Sequence, residues 1–289
     1  MKDWERIRNA RDDVTDYVIH WVKGRYQEGK RMSPFAVLVE VLKCGYLKPT
    51  FALKSSIYEK SKRPTVRGPY PAVCFTEQTL DNFVKSCKVL SNRYNPYGIA
   101  LHKRALYRYG GRPVIYGEED ILGRRLRPNE HGYEQSKETK ETYEGGLPRD
   151  YQYLWVRYEP IPNRDGYVID WTHEREWRCV VRAPYHALEG SLPEEGVPIF
   201  LPRVYEGDKW VRHFPRILVA KKEEKELLAE IVNTASPTWV AQSENEYLQN
   251  YFAQLPKARI VALEEVEEHL EAGEADWTRL ETIPPASQS

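Results

Sequence analysis

The sequence predicts an α+β fold in which helices flank a mixed β-sheet. Short aliphatic and aromatic runs that suit strands alternate along the chain with segments whose apolar residues recur at helical spacing. At 289 residues and 41% apolar content, the chain is long enough to bury a sizeable core. We predict a single α+β domain over residues 1–281, with a charged insertion near 117–150 and a disordered tail over 282–289.

Composition limits the classes of function. Lys and Arg together number 43, as do Asp and Glu, so no overall charge draws the chain to nucleic acid or membrane. No uncharged apolar run approaches the roughly 20 residues that cross a bilayer. The charged N-terminus, Met1–Arg6, lacks the apolar stretch of a secretory signal, so we expect a cytoplasmic protein without a membrane partner. Two local basic stretches, 60–63 and 123–127, are candidate phosphate contacts, although solvated loops are the simpler interpretation.

Several chemistries lack their motifs in this chain. The four cysteines are scattered, without the paired short spacing of zinc ribbons or fingers, so we predict buried free thiols at Cys44, Cys74, Cys87 and Cys179. A glycine-rich phosphate loop, a His-Glu-x-x-His run and a Gly-x-Ser-x-Gly elbow are all absent from the sequence. Nucleotide binding of the Rossmann or P-loop type, zinc protease and serine hydrolase functions therefore have no support.

The first part of the chain predicts two strand and helix pairs. Residues 16–22 suit a strand, and Ser33, Pro34 and Gly45 are the cap, first-turn proline and stop of a helix between them. Residues 50–70 suit a long surface loop. A strand over 71–75 then leads to a helix that carries Leu80, Phe83, Val84, Cys87 and Leu90.

The remaining elements follow the same alternation. Strands over 97–102 and 112–116 are separated by a short helix over 103–109, and we expect both strands to share a sheet. Further strands are predicted over 177–182, 216–220 and 258–263, and further helices over 221–232 and 264–270. The first of these helices should bury Leu227, Leu228 and Ile231 on one face.

The cluster Thr172–Arg178 is the strongest candidate for chemistry, because its charged residues run directly into an apolar strand. On a helix, Glu174 and Arg178 would form an ordinary ion pair. On a strand, alternation places Glu174, Glu176 and Arg178 on one face, where three charges need partners or a ligand.

These residues suit cleavage of an N-glycosidic bond such as that between nicotinamide and ribose. The reaction builds positive charge on the sugar, which Glu176 or Glu174 would stabilise, and His20 would bind a ribose hydroxyl. Phe75 would stack on the nicotinamide ring. Arg175, Arg178 or Lys54 would hold the pyrophosphate. The simpler interpretations are a half-buried His20 bonded to a carbonyl and a Phe75 that belongs to the core.

Six motifs in order resemble the AbiGi family over about residues 15 to 235: Ile19–Trp21, Leu42–Leu47, Val73–Glu77, Tyr97–Leu101, Arg112–Tyr116 and Glu174–Arg178. That family is associated with abortive infection, a bacterial response to phage. Its members are usually described as antitoxins of a two-component system. The resemblance implies a role in phage defence and a partner toxin.

More distantly, the plan is similar to the ADP-ribosyltransferase fold, including DarT-like enzymes that modify nucleic acid. That resemblance implies a split sheet and NAD as the cofactor consumed. A His, an aromatic residue and a Glu contact NAD in that family, and they correspond to His20, Phe75 and Glu176, with Trp21 where a small residue often follows the histidine. The candidate catalytic residues are therefore Glu176, His20 and Glu174, and the candidate cofactor-binding residues are His20, Trp21, Phe75 and Arg178.

Three functions compete on this evidence. The preferred one is an NAD-dependent ADP-ribosyltransferase or NAD glycohydrolase with a nucleic-acid or protein acceptor, which requires that His20 and Glu176 face one cleft and involves no metal site. The alternative is a non-catalytic antitoxin or interaction protein that contacts a partner toxin through 117–150 or the acidic segment 264–268. A metal-dependent nuclease that uses Asp170, Glu174 and Glu176 has less support.

Overall fold

The computed structural model describes residue 11 and residues 13–27, 29–51, 53–54, 63–89, 94–118, 147–158, 160–162, 168, 170–181 and 195–283. The described residues exclude most of the predicted charged insertion, including the basic stretch 123–127. They also exclude all but the last residue of the basic stretch 60–63.

The described chain contains short strands and six α-helices. The strands are β1 Tyr17–Trp21, β2 Arg25–Gln27, β3 Lys30–Met32, β4 Tyr46–Leu47, β5 Leu53–Lys54, β6 Arg63–Pro64, β7 Val73–Thr76, β8 Gly98–His102, β9 Arg112–Pro113, β10 Ile115–Gly117, β11 Trp155–Arg157, β12 Glu176–Cys179, β13 Val197–Pro198, β14 Val204–Glu206, β15 Lys209–Val211, β16 Arg216–Val219 and β17 Arg259–Ala262. The helices are α1 Pro34–Cys44, α2 Leu80–Val89, α3 Lys103–Tyr109, α4 Lys222–Gln242, α5 Glu246–Gln254 and α6 Leu263–Glu271.

Seven strands of the described chain form the central sheet in the order β17, β16, β8, β1, β7, β12 and β9. All neighbours are antiparallel except β16 and β17, which are parallel and are connected through α4 and α5. The prediction of an α+β fold with a mixed sheet is therefore confirmed. The split sheet of ADP-ribosyltransferase type stays a prediction.

Helices cover both faces of this sheet. The face that we call the α1 face carries Val18, Phe75 and Ile99, which pack with buried residues of α1, α3, α4 and α5. The opposite face, the α2 face, carries Ile19 and Ala100, which pack with α2 and α6. Near β12, the α2 face is covered instead by the segment that contains the buried Tyr153 and Leu154.

Helix α1 forms where the sequence predicts it. The Ser33 hydroxyl accepts a hydrogen bond from the Ala36 amide at 3.2 Å, and Pro34 opens the first turn. Gly45 ends the helix in the left-handed conformation, with φ of 77°. Leu38 and Leu42 are buried, so this helix fixes one side of the core beside β1.

Helix α4 is longer than predicted. The sequence predicts that it ends at Val232, but it continues through Pro237 to Gln242. Antiparallel packing against α5 explains the extension, since the Trp239 and Phe252 rings are 5.3 Å apart. The prediction that Leu227 is buried is also wrong: it is 47% exposed, and its neighbour Leu228 faces the core.

Other predicted segments differ at their ends. Arg112–Pro113 joins the central sheet as β9, but the chain then leaves it, and β10 pairs in parallel with β11. In the predicted surface loop over 50–70, Val66 is fully buried. Of the predicted tail at 282–289, the structure describes the first two residues. Ile283 is buried against the α2-face core, and residues 284–289 lie outside the described part of the chain.

All four cysteines are free thiols, as predicted. Cys179 is buried, as predicted, whereas Cys44, Cys74 and Cys87 are half-buried, so the prediction of burial is wrong for these three. Burial raises the pKa of Cys87 and of Cys179 to about 12 in each case, so neither is a nucleophile at neutral pH. Among the residues described, no helix has both the length and the apolar character needed to span a membrane.

Replacement of Gly45 should destabilise the fold more than replacement of another left-handed glycine. A Cβ at Gly45 would lie 2.9 Å from Leu248 Cδ2 and 3.1 Å from Tyr251 Cδ1, whereas one at Gly273, with φ of 80°, would meet nothing within 4 Å. Gly273→Ala should cost about 1–2 kcal/mol from backbone strain alone. Gly45→Ala should cost roughly 1–3 kcal/mol more from overpacking, as measured by urea unfolding. Equal losses in the two variants would contradict the packing at α5.

Candidate functional site

The residues predicted to form the site lie on three neighbouring strands, β1, β7 and β12. Thr76 of β7 is paired with Ile19 of β1 on one side and with Glu176 of β12 on the other. Paired residues share a face, and successive residues alternate between faces. Ile19, Thr76 and Glu176 therefore belong to the α2 face, and His20 belongs to the α1 face with Phe75.

The expectation that His20 and Glu176 face one cleft is consequently wrong in this register. The Nδ1 atom of His20 lies 2.9 Å from the Cys74 carbonyl oxygen. The centroids of the His20 and Phe75 rings are 5.8 Å apart, in an edge-to-face arrangement. Burial lowers the pKa of His20 below its ordinary 6.5, and the bond to the Cys74 carbonyl opposes this shift. His20 is thus a histidine bonded to a carbonyl, which was the simpler interpretation.

Both aromatic candidates are packed against neighbouring rings. Phe75 is 2% exposed in the α1-face core. Trp21 stacks on Phe83 with ring centroids 4.1 Å apart and lies 4.7 Å from Tyr94. Phe75 would have to leave the core to stack on a nicotinamide ring.

Glu176 and Arg178 form a buried ion pair. Arg178 Nε and Nη2 donate to the two carboxylate oxygens of Glu176 at 2.7 and 3.2 Å, and their side chains are 3% and 13% exposed. Nη1 of Arg178 donates to the carbonyls of Tyr153 and Trp155 at 2.7 and 3.2 Å. Burial lowers the pKa of Arg178, but Glu176, Cys74 and Tyr116 together raise it further, so the net shift of the Arg178 pKa is upward. The guanidinium of Arg178, which was predicted to bind the pyrophosphate of NAD, is therefore bonded to Glu176 and to two backbone carbonyls.

Glu174 does not continue this strand face, contrary to the sequence prediction. Thr172–Glu174 form a 3₁₀ turn, and Arg175 adopts a left-handed conformation with φ of 45°, so alternation begins only at Glu176. The Glu174 carboxylate accepts a hydrogen bond from the Tyr94 hydroxyl at 2.5 Å. Asp170 accepts one from the Thr172 amide at 2.9 Å. The three carboxylates of the nuclease hypothesis thus each bind a separate neighbour.

The buried Glu77 carboxylate is the centre of another charge cluster, whose basic members are partly exposed. One of its oxygens accepts from Lys103 Nζ at 2.9 Å and from Arg175 Nη2 at 3.0 Å, and the other accepts from Trp177 Nε1 at 2.9 Å. Arg175 also contacts Asp13 at 3.0 Å. This cluster joins the end of β7 to α3 and β12, so Arg175 has a structural role where phosphate binding was considered.

The structure also assembles a surface that the sequence analysis missed. Helix α3 packs beside β14, and α3, the first residue of β9 and the β14–β15 hairpin present what we call the arginine–aromatic surface, formed by Arg104, Tyr107, Arg108, Arg112, Tyr205 and Trp210. The guanidinium carbon of Arg108 lies 4.3 Å from the Trp210 ring centroid, and that of Arg112 lies 3.8 Å from Tyr107. Tyr205 and Trp210 contact each other at 5.3 Å.

A local signal for half of this surface exists in the sequence. Arg104 and Arg108 are four residues apart in α3 and therefore share a helix face, beside Tyr107. The other half is less visible, because the hairpin turns at Asp208 and Gly207, with φ of 63°, about a hundred residues further along the chain. Only the tertiary structure brings Trp210 against Arg108.

Comparisons with family models, curated proteins and solved structures found nothing that matches this chain. The resemblance to AbiGi proteins and to ADP-ribosyltransferases therefore stays a prediction.

Loss of Arg178 should destabilise the protein strongly. Arg178→Met leaves the Glu176 carboxylate buried without its counter-ion, which should cost about 3–5 kcal/mol in urea unfolding. The double variant Glu176→Gln/Arg178→Met should lose less, because it removes both charges. The control is Lys222→Met, which breaks the exposed pair with Glu268 and should leave the free energy of unfolding close to that of the wild type. A loss in Arg178→Met no larger than in this control would show that Glu176 does not depend on Arg178.

Proposed function

We propose that this protein is a non-catalytic binding protein that holds single-stranded nucleic acid on its arginine–aromatic surface. The observation that carries the proposal is the interleaving of arginine side chains with exposed aromatic rings on α3 and the β14–β15 hairpin. Tyr107, Tyr205 and Trp210 are 52%, 57% and 52% exposed, although burial would be the usual state of such rings.

The chemistry of this surface suits unpaired bases. Every base has a flat π-face, and stacking on an exposed aromatic ring contributes roughly 1–3 kcal/mol per base. Arginine binds phosphate through its guanidinium and also stacks on rings, so it suits positions between aromatic residues. A duplex keeps its bases stacked on one another, which leaves the exposed rings without a partner.

Local charge supports the same class of ligand. Arg108 and Arg112 lie against rings of this surface, and Arg104 contacts the acidic Glu206 at 3.5 Å. The surface is therefore basic although the whole chain has no net charge. A basic stripe with aromatic residues between its charges is the usual footprint of nucleic-acid binding.

The AbiGi resemblance supplies the cellular setting of the proposal. An antitoxin-type protein of a two-component abortive infection system acts through binding, which needs no catalytic cleft. His20 bonded to the Cys74 carbonyl and Glu176 paired with Arg178 are consistent with structural roles for both residues.

The test is fluorescence anisotropy with labelled single-stranded RNA, single-stranded DNA and a duplex of the same sequence, over a range of salt concentrations. We expect tighter binding of the single strands. Trp210→Ala should weaken it by roughly fivefold to a hundredfold, because one stacked base is lost. Arg108→Ala should weaken binding and also reduce its salt dependence, because one phosphate contact is lost.

The matched control is Tyr26→Ala. Tyr26 is 76% exposed and lies opposite Arg31 on the β2–β3 hairpin, so it provides an exposed ring beside an arginine outside the proposed surface. Its replacement should leave affinity unchanged. Equal binding of duplex and single strands, or no effect of Trp210→Ala, would contradict the proposal. A partner toxin recovered with a protein that binds no nucleic acid would replace it with the protein-binding alternative.

NAD-dependent ADP-ribosyl transfer or NAD hydrolysis is a second candidate function, favoured by one observation. His20, Phe75 and Glu176, which the distant resemblance assigns to NAD, lie on the three adjacent strands β1, β7 and β12. For NAD to bind among them, Glu176 would have to leave Arg178, and His20 would have to reach the opposite face of the sheet.

Nicotinamide release from NAD distinguishes the two candidates. We expect no release by the purified wild-type protein. The controls are Glu176→Gln and His20→Ala, with folding of each verified by circular dichroism. Release by the wild type that disappears in Glu176→Gln would establish the enzyme and overturn the non-catalytic proposal.

A further inference from the structure

Two histidines and a glutamate converge beside the arginine–aromatic surface. His102 ends β8, Glu206 ends β14, and His213 lies between β15 and β16. Within the described part of the chain, this is the one group of three or more potential metal ligands whose ligand atoms all lie within 4.8 Å of one another. It is separate from Glu176, Arg178 and the other residues that the sequence singled out.

Ring stacking and a histidine–carboxylate contact hold the three side chains together. The rings of His102 and His213 are parallel to within 3° with centroids 3.5 Å apart, and His213 Nε2 lies 2.9 Å from Glu206 Oε1. His102 is 6% exposed and meets the edge of the Tyr17 ring at 5.6 Å. The side chains of His213 and Glu206 are 18% and 28% exposed, so the cluster opens to solvent on their side.

We propose that His102, Glu206 and His213 form a Zn²⁺ site. Two imidazole nitrogens and one carboxylate oxygen are a ligand set that zinc accepts, with a fourth position left for water. Tetrahedral bonds of about 2.0–2.1 Å require ligand atoms roughly 3.3 Å apart. The present separations of up to 4.8 Å therefore need only side-chain rotation to close.

The parallel histidine rings determine which rotation is needed. A metal ion bound to imidazole lies close to the plane of that ring, and one ion cannot lie in two parallel planes 3.5 Å apart. One ring must turn out of the stack when zinc binds. His213 is the ring that turns, because it is partly exposed in a connecting segment, whereas His102 is held in β8 against Tyr17.

Zinc binding would also change the contact between Arg104 and Glu206. Its Nη1 lies 3.5 Å from Glu206 Oε1, the oxygen that also contacts His213. When this oxygen binds zinc, Arg104 must move away or pair with the second carboxylate oxygen, where it would orient the ligand.

Zinc binding is tested directly on the full chain. Protein treated with a chelator and dialysed is titrated with Zn²⁺ by calorimetry, without nucleic acid or NAD, so the outcome is independent of the proposed function. We expect one equivalent to bind. His213→Ala and Glu206→Gln should each weaken binding by at least about tenfold, since each removes one of three protein ligands. Glu206→Gln keeps the side-chain shape and serves if His213→Ala does not fold.

His269→Gln is the matched control. His269 also contacts a carboxylate, that of Glu274 at 3.0 Å, and stacks on a ring, that of Trp277 at 3.9 Å. Among the described residues, however, it is not part of a converging group of three ligands. This variant should bind zinc as the wild type does. Histidine NMR signals should show that the stack of His102 on His213 opens on titration, and a Co²⁺ spectrum should lack thiolate charge transfer, which excludes the four cysteines.

Three outcomes would overturn the proposal. A folded wild-type protein that binds no zinc would show that the cluster is a structural network in which Glu206 only orients His213. Zinc affinity that survives in both His213→Ala and Glu206→Gln would place the ion elsewhere. A thiolate band in the Co²⁺ spectrum would assign it to cysteine.

Discussion

The pairing of β7 between β1 and β12 is the constraint on which the rest of the structure depends. Thr76 lies opposite Ile19 on one side and Glu176 on the other, so this one register decides which side chains enter each core. If β12 slipped by one residue, Glu176 and Arg178 would move into the α1-face core and Trp177 would move to the α2 face. The Glu176–Arg178 ion pair on one face and the apolar Trp177 on the other make this register strongly preferred.

The secondary structure near the core was largely predictable because its signals are local. The Ser33 cap, Pro34 and Gly45 specify α1 without help from the rest of the chain. Helix α4 was less predictable: its second half lacks an aliphatic stripe and depends on contact with α5, including that between Trp239 and Phe252. Tertiary packing there overrides the weak local propensity of residues around Pro237.

The candidate site was predictable only in part. Strand alternation correctly placed Glu176 and Arg178 on one face, but the further partners of Arg178 are backbone carbonyls of Tyr153 and Trp155, which no side-chain pattern reveals. The left-handed Arg175 removed Glu174 from that face, and a non-glycine residue in this conformation has little sequence signal. The contact between α3 and the β14–β15 hairpin joins segments far apart in sequence, so it becomes visible only in the folded chain.

The strand order also has a consequence for how the protein is made. Of the described strands of the central sheet, β1, β7 and β8 leave the ribosome first. They can form a three-stranded sheet at once, because β1 lies between β7 and β8. The outer edges of this partial sheet are covered by β12 and β16, which are synthesised some 70 to 120 residues later. Until then the nascent chain presents two open edges with unpaired amides and carbonyls, which are templates for association with other chains. A pause in translation between β8 and β12 would prolong this exposure and favour aggregation.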